Sequence, residues 1–201
     1  MLNIDNQSFN SRFLLGTAGY PSVDILSQSI AQSETEIITV SLTRAKFNTT
    51  ENQFFNFLNN SKCKLLPNTA GCFSAQDAID TALLAQEVFG TNWIKLEVIG
   101  DDYTLNPNSI ELLKATETLI ALGFVVFPYC IDDIVICNEL VNLGCKILMP
   151  MGSPIGSGQG LLNLYNLTTL RNKFPDIILI VDSGIGRPSD ATQIMELGYD
   201  A

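Results

Sequence analysis

The sequence predicts an α/β fold, and within that class a (β/α)8 TIM barrel lacking its last strand. Three observations predict it. Strand-like and helix-like patterns alternate from end to end of the 201 residues, as a chain of βα units requires. Most of the strand-like segments are continuous apolar runs, the pattern of parallel strands buried on both faces. Polar residues fall at the C-terminal ends of several runs: Asn68 and Thr69, Lys95 and Glu97, Tyr129, and Asp182. A barrel collects its site from all around one rim. The competing architecture, an open doubly wound sheet, concentrates its site at one switch point.

The strand candidates, in order, are RFLLGT (12–17), EIITVSL (36–42), CKLLPN (63–68), WIKLEV (93–98), FVVFPY (124–129), CKILMP (145–150) and IILIVDS (177–183). Helical patterns lie between them. One spans 74–90: Ser74 opens it, Asp77 follows three residues on and Gly90 closes it, a start-and-stop signature. A second runs from Pro107 to Gly123 with Ile110, Leu113 and Leu119 on one side. A third, 132–144, carries Ile134, Cys137 and Val141 as a stripe and stops at Gly144. The last, 187–198, has Pro188 near its start and Gly198 after its end, the usual asymmetry of helix termini. No linker, low-complexity tract or repeat interrupts the series, so residues 1–201 read as a single barrel domain. Seven strands are present and the sequence reaches ELGYDA where an eighth would begin. A complete barrel typically needs about 250 residues, and seven strands leave edges on the first and last. The expectation is a barrel without its final strand and helix.

Composition removes several function classes. The net charge is −10 and no Lys/Arg cluster occurs, so the electrostatic footprint of a nucleic-acid binder is absent. The longest apolar stretch, 119–131, is short for a membrane span and is broken by Gly123 and Pro128. Residues 1–13 lack the basic start and apolar run of a signal peptide. Five cysteines (63, 72, 130, 137, 145) are odd in number and scattered without a Cys-x-x-Cys. They read as small buried hydrophobes kept reduced in cytoplasm or in an organelle stroma such as that of a plastid. Histidine is missing altogether. That excludes the usual Ser-His-Asp and Cys-His triads and most zinc sites, and leaves acid–base work to carboxylates, lysine, tyrosine and thiols.

The run NWIKLEVIGDD (92–102) is the most informative. As a strand it sends Ile94, Leu96 and Val98 to one face and Trp93, Lys95 and Glu97 to the other. Near a barrel mouth, Lys95 enters the lumen. Poor solvation is expected to lower its pKa, giving a neutral amine able to form an imine with a carbonyl. Glu97, on the same face, can move protons beside it. The bland alternative is a Lys–Glu ion pair filling the barrel. Asp182 ends the apolar run IILIVD and suits a second acid–base group; the alternative is an aspartate capping the following turn. Two glycine-rich loops, MGSPIGSGQG (151–160) and SGIGRPSD (183–190), match neither the P-loop nor Gly-x-Gly-x-x-Gly. Glycines let backbone N–H groups approach an anion, and barrels often bind phosphate after their last strands; the alternative is that they only make tight turns. Asn68 and Thr69 are read as bonding substrate hydroxyls or capping the next helix. A lysine, two carboxylates and a phosphate cradle suit chemistry on a phosphorylated keto- or aldo-sugar without histidine.

Five segments carry a resemblance: LPNTAGC (66–72), WIKLEVIGD (93–101), GFVVFPYC (123–130), MPMGSPIGSGQG (149–160) and VDSGIGRPSDATQIMELGYDA (181–201). Together they resemble the thiazole synthase family of thiamine biosynthesis over essentially the whole chain. The resemblance implies a (β/α)8 barrel that assembles as a homo-oligomer and needs no metal or other cofactor at the site. It implies that Lys95 forms an imine with the ketone of 1-deoxy-D-xylulose 5-phosphate, with Glu97 and Asp182 shifting protons. It places Gly156, Gly158, Ser183 and Gly184 near the sugar phosphate. It implies two further inputs. Sulfur comes from a small carrier protein with a C-terminal thiocarboxylate, and dehydroglycine from a separate glycine-oxidising or tyrosine-cleaving enzyme. The chain departs from the family pattern at GTAGY (16–20), where Gly-Thr-Gly-Lys-Tyr is usual. It departs again at Thr43-Arg44, where Arg-Arg is usual, and at Ser183, where alanine is usual. A family tail with the eighth strand and an Asn-Thr pair is not in this sequence. Two other readings compete: another Schiff-base sugar-phosphate aldolase, and an inactive truncated homologue.

Overall fold

The computed structural model describes residues 1–42 and 51–201; Thr43 and Arg44, singled out above, lie outside the described residues. The chain begins with a feature the apolar pattern does not announce. Two three-residue strands, β1 (Leu2–Ile4) and β2 (Gln7–Phe9), form an antiparallel hairpin. Asp5 and Asn6 turn it with φ of 47° and 61°, the left-handed pair that a two-residue hairpin loop demands.

Seven parallel strands follow: β3 (Leu14–Gly16), β4 (Ile37–Ser41), β5 (Lys64–Asn68), β6 (Trp93–Leu96), β7 (Val125–Cys130), β8 (Ile147–Pro150) and β9 (Ile178–Leu179). They are hydrogen-bonded in the order β3-β4-β5-β6-β7-β8-β9. Spatial order follows chain order without reversal, so the sheet has no switch point and curls as a barrel does; the doubly wound alternative is excluded. The helices are α1 (Val23–Ser33), α2 (Glu51–Asn60), α3 (Ala75–Phe89), α4 (Ser109–Ala121), α5 (Ile134–Asn142), α6 (Leu164–Lys173) and α7 (Pro188–Glu196). The result is an incomplete (β/α)8 barrel. Among the described residues no helix is long and apolar enough to cross a membrane.

Alternation along the strands divides the apolar residues into two clusters. Ile37, Leu66, Trp93, Phe127, Ile147, Met149 and Ile180 point inward and meet Leu2, Ile4 and Phe9 of the hairpin. The hairpin thereby closes the N-terminal end of the sheet. Trp93 Nε1 donates to Asp5 Oδ2 at 3.0 Å, and the Trp93 ring meets Phe9 edge-on and Phe127 at 5.1 Å between centroids. Ile94, Leu96 and Val98 point outward against α3 and α4. Helix α3 offers them an alanine stripe, Ala78, Ala82 and Ala85, whose small side chains let the helix sit close. Its ends are those expected: Ser74 accepts from Asp77 N–H, and Gly90 closes in the left-handed conformation. Helix α4 buries Leu112, Ala115, Thr116 and Leu119, and leaves Ile110 68% exposed. The expected stripe through Ile110 is corrected: Leu112 and Ala115 meet the sheet, and Ile110 stands on the other side of the first turn.

Strands β3 and β9 do not pair with one another. Residues 199–201 run along β9 instead, with Asp200 N–H on Leu179 O at 2.8 Å and Val181 N–H on Ala201 O at 3.1 Å. Arg12, just before β3, reaches across to the carbonyls of Tyr199 and Asp200. Asp200 is itself paired with Arg171 at 2.9 Å. A cleft of about 500 Å³ lies between these edges and opens onto Gly16, Thr39, Lys95, Met149, Asp182 and Ser183.

Candidate active site

The site is built from β6 outward. Lys95 is paired in register with Asn68 on one side and Phe127 on the other, so its side chain enters the barrel directly above Trp93. Glu97 follows on the same face. Asp182 arrives from beyond β9, where its backbone still bridges to Met151. These three residues, separated by up to 87 positions in the chain, meet: Lys95 Nζ lies 2.6 Å from Asp182 Oδ2 and 3.4 Å from Glu97 Oε1. Their side chains are 12%, 19% and 8% exposed respectively. Lys95 and Asp182 line the cleft, and Glu97 is buried.

This geometry overturns one expectation. Burial does oppose the ammonium of Lys95. The charges of Asp182 and Glu97, and their hydrogen bonds, outweigh it, and the lysine pKa is raised above its usual value. Reading β6 alone counts desolvation and one carboxylate; Asp182, closer than Glu97, is supplied by the far side of the sheet. Lys95 therefore rests as an ammonium, with a proton acceptor already in contact.

Tyr129, at the C-terminal end of β7, is fully buried, and Lys95 Nζ sits 5.9 Å from its ring centroid, within reach of a cation–π interaction. Burial pushes its phenol up to about 12, against a lowering by its contact with Ser183, so it is a protonated donor at neutral pH. Its hydroxyl lies 3.5 Å from Ser183 Oγ, which donates its own proton to Ser153 O at 2.7 Å. Tyr129 is thus the donor in that contact. Ser183 holds φ at 65°, and the bond to Ser153 holds it there.

The two glycine-rich loops lie face to face. A Cβ on Gly184 would fall 1.7 Å from Ser153 Oγ, and one on Gly186 would fall 2.5 Å from Gly158 O. Gly160 N–H donates to Gly184 O at 2.8 Å and Gly152 N–H to Asp182 O at 3.0 Å. Gly184 and Gly186 are thus needed for loop-on-loop packing, which neither sequence reading foresaw. Gly156 faces open space. At the start of α7, Asp190 Oδ2 accepts from the N–H groups of Gly186 and Arg187 at 3.0 and 2.9 Å, so those two donors are already taken by a carboxylate.

Thr69 does something that neither sequence reading names. Its hydroxyl donates to Glu97 O at 2.7 Å and accepts from Glu97 N–H at 2.8 Å. Asn68 Oδ1 accepts from Ala70 N–H at 3.3 Å; the helix cap is Ser74. Nothing in LPNTAGC marks Thr69 as a partner of a strand 28 residues away. Tyr129 was legible as a polar residue at a strand end, and it shares inward parity with Val125 and Phe127; its contacts with Lys95 and Ser183 come from the structure.

Fold and site define the class: an incomplete (β/α)8 barrel with a buried lysine–carboxylate cluster at the strand C-terminal ends, where such barrels do their chemistry. The chain belongs to the thiazole synthase family: the family model described as "Thiazole biosynthesis protein ThiG" matches residues 3–201. A thiazole synthase of Coxiella burnetii is 53% identical over 201 residues, covering 100% of this chain and 78% of that protein. One of Brucella anthropi is 52% identical over 202 residues, covering 100% of this chain and 79% of its own length. Among solved structures, the Amycolatopsis orientalis BexX/CysO complex superposes with a TM-score of 0.87 at 24% identity, over 100% of this chain and 82% of that one. The 2-keto-3-deoxy-6-phosphogluconate aldolase of Zymomonas mobilis, with 3-phosphoglycerate, gives 0.55 at 12% identity, over 90% and 73%. At these identities the structural likenesses show the fold.

Proposed function

We propose that this chain builds the thiazole phosphate of thiamine from 1-deoxy-D-xylulose 5-phosphate, dehydroglycine and carrier-borne sulfur, through an imine on Lys95. The observation that carries the reading is the contact of Lys95 Nζ with Asp182 at 2.6 Å, flanked by Glu97 at 3.4 Å. Asp182 takes the ammonium proton. The freed amine adds to the ketone carbon of the sugar, and the carbinolamine loses water as a carboxylic acid returns a proton to the departing oxygen. The iminium withdraws electrons from the neighbouring carbon. Asp182, which faces the cleft, removes a proton there, and Glu97 serves as the second, buried acid–base group. Repeating these transfers moves the carbonyl along the chain, where sulfur and then dehydroglycine can add.

Gly156, Gly158, Ser183 and Gly184 are proposed to hold the phosphate end, on loops that adjoin Asp182. A thiocarboxylated carrier protein is the proposed sulfur source. Supporting it is the BexX/CysO neighbour, which shares this fold. Dehydroglycine is assigned to a separate glycine-oxidising or tyrosine-cleaving enzyme, and the working form to a homo-oligomer. The free thiols of all five cysteines support a reducing interior such as cytoplasm. The family match favours this reading over a sugar-phosphate aldolase, whose likeness is of fold alone. Borohydride reduction in the presence of deoxyxylulose phosphate tests it. The expected result is one covalent adduct on Lys95; a trap formed only with other ketones or aldehydes, or no trap, refutes it.

A further inference from the structure

Strands β5 and β6 share a single register pair, Asn68 with Lys95. Beyond it the two chains are joined by Thr69. Its N–H donates to Lys95 O at 3.2 Å, and its hydroxyl takes both backbone polar groups of Glu97, at 2.7 and 2.8 Å. Thr69 is fully buried, and a β-branched side chain has little χ1 freedom. One hydroxyl therefore fixes the backbone from which the Glu97 side chain springs, and that carboxylate stands 3.4 Å from Lys95 Nζ. Displacing a catalytic group by about 1 Å can cost on the order of 100-fold in rate.

We propose that Thr69 is a positioning residue: its hydroxyl holds the Glu97 carboxylate beside Lys95 by clamping the Glu97 main chain. The role rests on the reading of Lys95 as the imine-forming amine. The charged and titratable groups facing Lys95 are Glu97 on its own strand, Asp182 beyond β9 and Tyr129 on β7. Cys72, after β5, senses Glu97 as well. Of these groups, Glu97 alone meets the Thr69 hydroxyl, through its main chain; Cys72 is tied to Thr69 by its backbone N–H, which donates to Thr69 O at 3.2 Å.

The test reads the amine itself, so it needs no sugar. The purified full chain is labelled with acetic anhydride at a fixed pH of about 9, well below the raised lysine pKa, where the rate follows the neutral fraction. Modification at Lys95 is followed by peptide mass spectrometry. Thr69→Val removes the hydroxyl at constant shape, and is expected to speed labelling of Lys95 about tenfold as Glu97 loosens. Glu97→Gln is expected to do at least as much, and T69V/E97Q to match E97Q alone. Thr69→Ser keeps the hydroxyl and is expected to label at the wild-type rate. A T69V protein that melts lower yet labels at the wild-type rate overturns the proposal, as does an effect that multiplies with that of E97Q. Where T69V does not fold, T69A makes the same comparison; failure of both to fold, beside a folded T69S, assigns Thr69 to stability alone and also overturns it. Absence of a sugar adduct on wild-type Lys95 would instead refute the imine reading, and leaves the labelling result interpretable.

Discussion

The two ends of the barrel interior are made from the same strand faces and do opposite things. At the N-terminal end, Trp93, Leu66, Phe127 and Ile147 pack against the β1–β2 hairpin, and the Lys64 ammonium covers the Trp93 ring at 4.8 Å. Two residues further along β6, the same face presents Lys95, then Glu97, and Asp182 closes on them from beyond β9. Strand parity decides that a side chain points inward; height along the strand decides whether it meets a sealed apolar floor or an accessible cleft. A division of labour is expected in energetic terms: substitutions at the floor act on folding, and substitutions at the mouth act on the proposed proton and imine chemistry.

The largest expected effect breaks the mouth alone. Lys95→Ala and Lys95→Arg should both abolish borohydride-trapped adduct, read by intact mass. The arginine keeps a cation between the carboxylates but is not deprotonated in proteins, so a folded, adduct-free K95R separates chemistry from charge balance. An adduct on either variant refutes the role of Lys95. Next is Asp182→Asn, which removes the contact acceptor of the ammonium. Loss of a positioned acid–base group is expected to slow adduct formation by about 100-fold or more in the folded protein, measured by quench-flow at saturating sugar.

The floor gives the reverse pattern. Trp93→Ala should cost about 3–5 kcal/mol in urea unfolding, while the fraction that remains folded traps sugar at the wild-type rate. A W93A protein of wild-type stability with lost trapping would collapse the distinction between the ends. A smaller version is Asp5→Ala, which strips the partner of Trp93 Nε1 and is expected to cost about 1–2 kcal/mol with trapping intact.

The smallest effect is a pH slope. Lys95 has its folded-state pKa raised above the ordinary 10.5. The folded state therefore binds the proton more tightly, and the stability it confers is fully present below about 10.5 and is lost as pH climbs through the folded value. Tyr129, raised to about 12 by burial, adds to the same alkaline loss. Unfolding free energy should fall above pH 10 or so, and K95R should flatten that fall by up to about one proton's worth. A K95R curve with the wild-type slope would show that Lys95 is not coupled to the two acids.

Much of the fold was legible because buried parallel strands write themselves as apolar runs. All seven strands overlap the ranges read from the sequence: β3 keeps only Leu14–Gly16 of its range, β7 runs one residue past its range to Cys130, and β9 is cut to Ile178–Leu179 with its backbone bonds continuing to Asp182. Lys95 and Glu97 were legible together because alternation along one strand is a local property. The hairpin was not: three-residue strands are too short for a period to show, and Asp5-Asn6 is a turn signal that only matters once Trp93 is there to be covered. Thr69 and the clash that forbids a side chain at Gly184 were illegible for another reason. Each depends on a partner 28 or 31 residues away, Glu97 and Ser153 respectively.

Sequence alone determined the βα alternation, the inward face of β6 and the residue types available for chemistry in a chain without histidine. Those are consequences of periodicity and composition, which are local or additive. Tertiary structure decided that Asp182 rather than Glu97 makes the closer contact with Lys95, and that the lysine rests charged. The reason is electrostatic: desolvation is set by a residue's own burial, but the sign of the net shift is set by which charges the closing sheet brings within a few ångströms.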